Sequence, residues 1–208
     1  RLFILFAANP TAGMDWSDSA LEANFRQILQ LHKIPESILA WGEENSGIDD
    51  WMKARLNQRI IQWKEAMETY DLRGAVETSH FELVKDINWY IRRGGNNRNV
   101  GLEILHSWTH MISIATPHLA EDWWKMLGNE DLIAGRFFET PEKLHSEEMR
   151  KLEDEAYLRS FLEQGRKVAK IASKHVEGSL SSAVVHVSRP WRRKLATSAI
   201  EFLEKGNN

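Results

Sequence analysis

The residues of this chain best suited to chemistry are cations set beside aromatic rings. The stretch 85–98 holds four basic residues, Lys85, Arg92, Arg93 and Arg98, against one acidic residue. On a helix at about 100° per residue, Lys85, Trp89 and Arg92 share a narrow face with Phe81. Arginines there could fork onto phosphate oxygens, and the turn Gly94-Gly95-Asn96-Asn97 could add amide donors. An exposed ring could stack on a base. The structural alternative uses the same residues differently, pairing Asp86 with Arg93 or Glu82 with Lys85 and burying Phe81 and Trp89 as core. A second cationic group lies in 159–194, with nine basic and two acidic residues. It includes Arg166 and Lys170 towards the end of a helix, then Arg189, Arg192, Arg193 and Lys194 around Pro190-Trp191. Cations at a helix start oppose the dipole, so this last cluster points to a purpose other than helix stability.

Other chemistry finds little support. His106 and His110 are one turn apart and could share a metal, with Glu103 a turn further back. The zinc-protease spacing His-Glu-x-x-His is not met, and the helix around them is apolar, which favours two packed histidines. No Gly-rich phosphate loop and no Ser-His-Asp order stands out. There is no cysteine, which excludes disulfides and thiolate metal sites and suits a reducing cytoplasm. No apolar run approaches the roughly 20 residues that span a bilayer, and no signal peptide is visible. The net charge of −3 averages two opposed regions. Residues 121–155 carry eleven acidic and five basic side chains, whereas 159–194 has the basic excess that can attract a polyanion.

The elements that must position these groups read as mainly α. Residues 1–8 end a helix before Asn9-Pro10, and Ser17, Asp18 or Ser19 can cap the next one, which Pro35 should stop. Asp49 or Asp50 opens the longest regular segment, whose seam is Met52, Leu56, Ile60, Trp63, Met67 and Tyr70, flanked by Arg55 and Arg59. The stretch 71–93 is apolar on two sides, as expected for the middle helix of a bundle. A deeply buried helix follows over about 100–115. Pro117 starts another, with Thr116 as cap, closing at Gly128. Residues 128–150 look irregular, and an amphipathic helix runs from about Leu152 to Lys174. Ala183 to Val187 is a lone strand signal, with a last helix from Pro190.

Four segments in this order carry a resemblance: RLFILFAANPTAGMDW at the start, RLNQRIIQWKEAMETYDLRGAVET, FELVKDINWYIRR, and TPHLAEDWWKMLG at 116–128. Together they resemble the helical tRNA-binding domain of class I aminoacyl-tRNA synthetases, most of all the leucyl-tRNA synthetases of the archaeal and eukaryotic-cytosolic type. The resemblance implies an antiparallel helical bundle of the anticodon-binding type over 1–150. A connecting basic helix over 151–178 and the start of a truncated α/β appendage over 179–208 would follow. Lys85, Trp89, Arg92, Arg93, Arg98, Arg166, Lys170, Arg189, Arg192, Arg193 and Lys194 are the expected tRNA contacts, with no catalytic or metal residue. It also implies a cytoplasmic parent enzyme that joins leucine to its tRNA using ATP with magnesium, and a catalytic domain as the chain's neighbour. The signatures His-Ile-Gly-His and Lys-Met-Ser-Lys-Ser are absent here, and the resemblance places the second just upstream of Arg1, in something longer. The alternatives are the equivalent domain of a valyl-, isoleucyl- or methionyl-tRNA synthetase, or a free-standing helical module that binds protein.

Overall fold

The computed structural model describes residues 1–8, 13, 15–175, 182, 184, 194 and 195. Among them the secondary structure is helical: α1 (Leu2–Ala7), α2 (Asp18–Leu39), α3 (Asp49–Glu68), α4 (Leu72–Glu77), a π-turn (Thr78–Glu82), α5 (Leu83–Arg92), α6 (Arg98–Ile112), α7 (Pro117–Met126) and α8 (Ser146–Ala172). The chain divides into two compact units, Arg1–Leu158 and Arg159–Asn208. No helix among the described residues is long and apolar enough to cross a membrane. The anticipated strand at 183–187 and the helix from Pro190 fall, apart from Val184, Lys194 and Leu195, outside the described residues.

The first unit is a helical bundle built around α6, which packs against α2, α3 and α7. Its apolar residues occupy more than one face, so Val100, Ile104, Leu105, Trp108, Met111 and Ile112 are all buried. Trp108 meets Trp123 of α7 edge to face at 5.0 Å, a geometry that aromatic quadrupoles favour. The α3 seam is buried at Met52, Leu56 and Ile60. It does not reach Tyr70, which lies in the turn after α3 at φ 59 and is 81% exposed. A helix that ends in the left-handed region usually places glycine there.

Capping explains several boundaries. The Ser17 hydroxyl accepts from the Ala20 amide to start α2, Asp71 accepts from Gly74 to start α4, and Asn97 accepts from Asn99 and Val100 to start α6. Thr116 does not cap α7 with its side chain. Its hydroxyl donates back to the Ile112 carbonyl at 3.1 Å and faces the His80 ring. Pro35 does not stop α2, which runs on to Leu39. Leu31, Pro35 and Ile38 are buried on one face, and that packing outweighs the hydrogen bond a proline forfeits in mid-helix. α8 begins at Ser146, because the Glu148 carboxylate accepts from the His145 amide and its first half is held by α3 through Lys151–Asp50 and Asn57–Glu148.

The expected single helix over 71–93 is interrupted by the π-turn. A π-turn widens the helix and leaves carbonyls free for outside donors. Trp108 Nε1 donates to the Ser79 carbonyl at 2.5 Å, and the Gln27 amide donates to the His80 carbonyl. Two other helices therefore grip the turn at the point where its own ladder is relaxed.

Candidate nucleic-acid interface

The cationic residues expected on the central helix reach the surface in two different ways. Arg92 is exposed at the last turn of α5, its guanidinium 5.6 Å from the centre of the Trp89 ring. Such a contact leaves the outward edge of the guanidinium free to fork onto an anion. Arg98 is exposed at the first turn of α6, its backbone amide donating to the Gly42 carbonyl at 2.6 Å. Lys85 is also exposed, and its ammonium is 2.5 Å from Glu82, the i,i+3 pairing weighed above. An exposed pair of this kind contributes little and can open to a stronger anion.

Arg93 behaves differently. Its Nε donates to Glu155 of α8 at 2.9 Å, and Trp89 Nε1 donates to the same carboxylate oxygen at 2.8 Å. Glu155 is buried, so the pair and the indole bind α8 to α5 at one point. The expected pairing of Asp86 with Arg93 is not formed. Asp86 is buried and faces α3, where Arg59 Nε donates to it at 2.7 Å and Arg55 stands 3.9 Å away. Arg59 also reaches Glu82 at 3.2 Å. The two arginines flanking the α3 seam thus neutralise carboxylates of the neighbouring helix. Charge-assisted bonds of this type fix register strongly.

The glycine–asparagine turn supplies fewer free donors than its composition suggests. Gly94 adopts φ 88, and its amide donates to Ile91, the Gly95 amide to Tyr90, and the Asn97 amide to the Tyr90 hydroxyl. The Tyr90 hydroxyl in turn donates to Asp49 at 2.6 Å, and the Asn97 side chain donates to Asp49 at 2.9 Å. Burial pushes the Asp49 carboxyl up, but hydrogen bonds from Ser46, Tyr90 and Asn97 outweigh it and leave the pKa lowered. Burial first, then the bond to Asp49, raises the Tyr90 phenol to about 12. This network locks the turn and presents Arg92 and Arg98 from a rigid frame.

The remaining expected residues divide by location. Phe81 is half-buried and stacks on Phe6 at 4.5 Å, so it is packing. Arg166 and Lys170 are exposed on α8 in the second unit, and Lys194 is exposed. Arg189, Arg192 and Arg193 lie outside the described residues. The histidine pair is aromatic packing: His110 is buried, stacks on Phe138 at 4.8 Å and meets Trp124 edge to face. Burial and then the neighbouring His106 lower its pKa. Among the described residues, no group of three His, Asp or Glu side chains could hold a metal ion.

In the sequence Glu155 is indistinct, because it lies in a run of acidic residues. One signal was legible: it falls three residues after Leu152 and three before Leu158, on the inward face of α8.

Comparison with known proteins gives this geometry a context. The family model described as the anticodon-binding domain of tRNA ligase matches residues 49–185, starting where α3 starts. The leucine–tRNA ligase of Methanococcoides burtonii is 35% identical over 137 residues, covering 63% of this chain and 14% of that protein. The leucine–tRNA ligase of Archaeoglobus fulgidus is 28% identical over 207 residues, covering 99% of this chain and 21% of that protein. The chain therefore spans about a fifth or less of the length of such relatives. Among solved structures, the LeuRS–tRNA–LeuAMS ternary complex of Agrobacterium radiobacter K84 is similar in fold. Its TM-score is 0.50 at 18% identity, over 73% of this chain and 20% of that one. With the family model matching about two thirds of its length, this chain belongs to the anticodon-binding domain family of tRNA ligases.

Proposed function

We propose that this chain is the tRNA-binding helical region of a leucine–tRNA ligase. The observation that carries the reading is the similarity to leucine–tRNA ligases along 99% of the chain, joined to a rigid turn that exposes Arg92 and Arg98. Arg92, Arg98 and Lys85 hold the tRNA backbone, and the exposed cations of the second unit, Arg166, Lys170 and Lys194, add phosphate contacts. Backbone contacts position a nucleic acid without reading its sequence. Arg93 and Trp89 act as struts that keep α8 on the bundle.

Chemistry belongs to the rest of a longer polypeptide, which attaches leucine to tRNA in the cytoplasm using ATP with magnesium. The helical region would dock against the catalytic part of that polypeptide and needs no cofactor of its own. The ring beside Arg92, Trp89, donates its N–H to Glu155 and carries the Arg92 guanidinium over its face, so binding should not depend on stacking of anticodon bases there. The test compares a leucine tRNA with the same tRNA carrying a scrambled anticodon, at one salt concentration. Equal binding supports the proposal. A difference beyond about tenfold, or 1.4 kcal/mol, would show base readout and contradict it.

A further inference from the structure

Beside Arg98 the first turns of α3 and α6 meet across a polar cleft of about 430 Å³, whose lining includes Asn45, Asp49, Asp50, Lys53, Asn97 and Asn99. A cleft of this volume is large enough for a small polar group. Its floor is already saturated. The Asp49 carboxylate accepts four hydrogen bonds, from the Ser46 amide and hydroxyl, the Tyr90 hydroxyl and the Asn97 side chain, which fill its lone pairs. Asn97 uses its side-chain oxygen to cap α6 and its NH₂ to reach Asn45 and Asp49. The rim differs. Asn99 is exposed, and its side chain makes no hydrogen bond among the described residues; only its backbone amide is engaged, by Asn97. Asn45 has its side-chain oxygen held by Asn97 at 2.7 Å, which leaves its NH₂ open. Asp50, 71% exposed, gives one carboxylate oxygen to Lys151 at 3.2 Å and keeps the other for an outside donor.

These open groups select the ligand. A cation would need carboxylate oxygens, but those of Asp49 are filled and Asp50 faces Lys151. A phosphate inside the cleft would meet the charge of Asp50, and the Lys53 ammonium that might offset it is held by Glu103 at 2.9 Å. A neutral hydroxyl fits, because it can donate to Asp50 and accept from the amides of Asn99 and Asn45. RNA carries such a group next to every phosphate, the ribose 2′-hydroxyl. Arg98 directly precedes Asn99 in the first turn of α6, their Cα atoms about 3.8 Å apart, so one nucleotide can present its phosphate to the first and its sugar to the second. We propose that the cleft receives the ribose of a tRNA nucleotide whose phosphate Arg98 holds, with its 2′-hydroxyl bonded to Asp50, Asn99 and Asn45. This rests on the reading of the chain as a tRNA-binding region and gives that region a contact that separates RNA from DNA without reading a base.

Interference mapping on the intact ligase tests this. Leucine tRNA with scattered 2′-deoxynucleotides, each tagged by a phosphorothioate, is separated into bound and free fractions and cleaved with iodine; tRNA with the phosphorothioate alone gives the background. At one or two positions the bound fraction should be depleted of the 2′-deoxy form about fivefold to tenfold, the effect of losing two or three hydrogen bonds. That depletion should vanish in Asn99→Ala and shrink in Asp50→Ala, while depletion elsewhere stays. Both residues are exposed, so circular dichroism should be unchanged. Asn99→Ala should also weaken binding by a similar factor and leave the slope of log affinity against log salt as in wild type, because no phosphate contact is removed. Maps that are identical in wild type and both variants overturn the proposal. So does a flattened slope in Asn99→Ala, which would mean that phosphate enters the cleft. The two readings fail separately. If Arg92→Ala with Arg98→Ala leaves the slope unchanged, the turn does not hold RNA; if that slope flattens while the maps stay identical, only the ribose site falls.

Discussion

Replacing Glu155 by alanine removes a carboxylate that holds both Trp89 of α5 and Arg93 at its C-terminal cap. The contribution follows from the contacts. The Arg93–Glu155 bond is charge-assisted at 2.9 Å, with the carboxylate 10% and the arginine 38% exposed. Charge-assisted bonds contribute about 1.5–3 kcal/mol when shielded, and the exposure of the arginine places this one near the lower end. The indole bond at 2.8 Å adds about 1 kcal/mol, since Trp89 is only partly buried and water can replace the acceptor. Glu155→Ala should therefore lower stability by about 2–3 kcal/mol, and Arg93→Ala by somewhat less, because Trp89 would still hold the buried carboxylate. The double variant should cost less than the sum of the singles, with a coupling of about 1 kcal/mol or more. Chemical denaturation followed by tryptophan fluorescence, with hydrogen exchange on the α8 amides near 155, measures both quantities. Additive effects, or a Glu155→Ala cost below about 0.5 kcal/mol, would show that the clamp contributes nothing and that α8 is held elsewhere.

Three further outcomes are expected. Burial lowers the His80 pKa from 6.5 to about 4. The unfolded state therefore binds the extra proton first, and the stability due to neutral His80 is complete above pH 6.5 and lost as pH falls towards 4. Between those limits stability should drop by up to about 1.4 kcal/mol per pH unit, and His80→Gln should flatten that slope in denaturation curves recorded across the range. Tyr70→Gly should raise stability by about 1 kcal/mol, because the left-handed backbone at φ 59 is strained for tyrosine and not for glycine; a loss in thermal melts would mean that the exposed ring packs usefully. Gly101→Ala should cost about 1–3 kcal/mol by overpacking, since a Cβ there would run into Ile38 and come within 2.9 Å of Trp41.

The helices were legible in the sequence because their apolar residues recur at helical spacing and their caps are local. Met52, Leu56 and Ile60 announce α3, and the Gly-Asn turn announces the end of α5. Pro35 misled because the burial of Leu31 and Ile38 is a tertiary fact with no local mark. The π-turn was invisible for the same reason: its acceptors are satisfied by Trp108 and Gln27 from distant helices. Cations could be found by counting, but not sorted. Arg92 and Arg93 are adjacent and alike in sequence. One lies on a ring at the surface and the other bonds to a carboxylate of α8, and only the partner's position separates strut from contact.

In the proposed function Arg92 and Arg98 hold RNA through phosphate while Arg93 does not. Binding of tRNA by wild type, Arg92→Ala with Arg98→Ala, and Arg93→Ala, each across a series of salt concentrations, separates these roles. Each phosphate contact contributes about 0.7–0.9 to the slope of log affinity against log salt. The pair Arg92→Ala with Arg98→Ala should weaken binding and flatten the slope by about 1.4–1.8, while circular dichroism stays unchanged. Arg93→Ala should leave the slope at its wild-type value. An unchanged slope in the double variant would mean that Arg92 and Arg98 do not touch phosphate, and a flattened slope in Arg93→Ala alone would mean that Arg93 does.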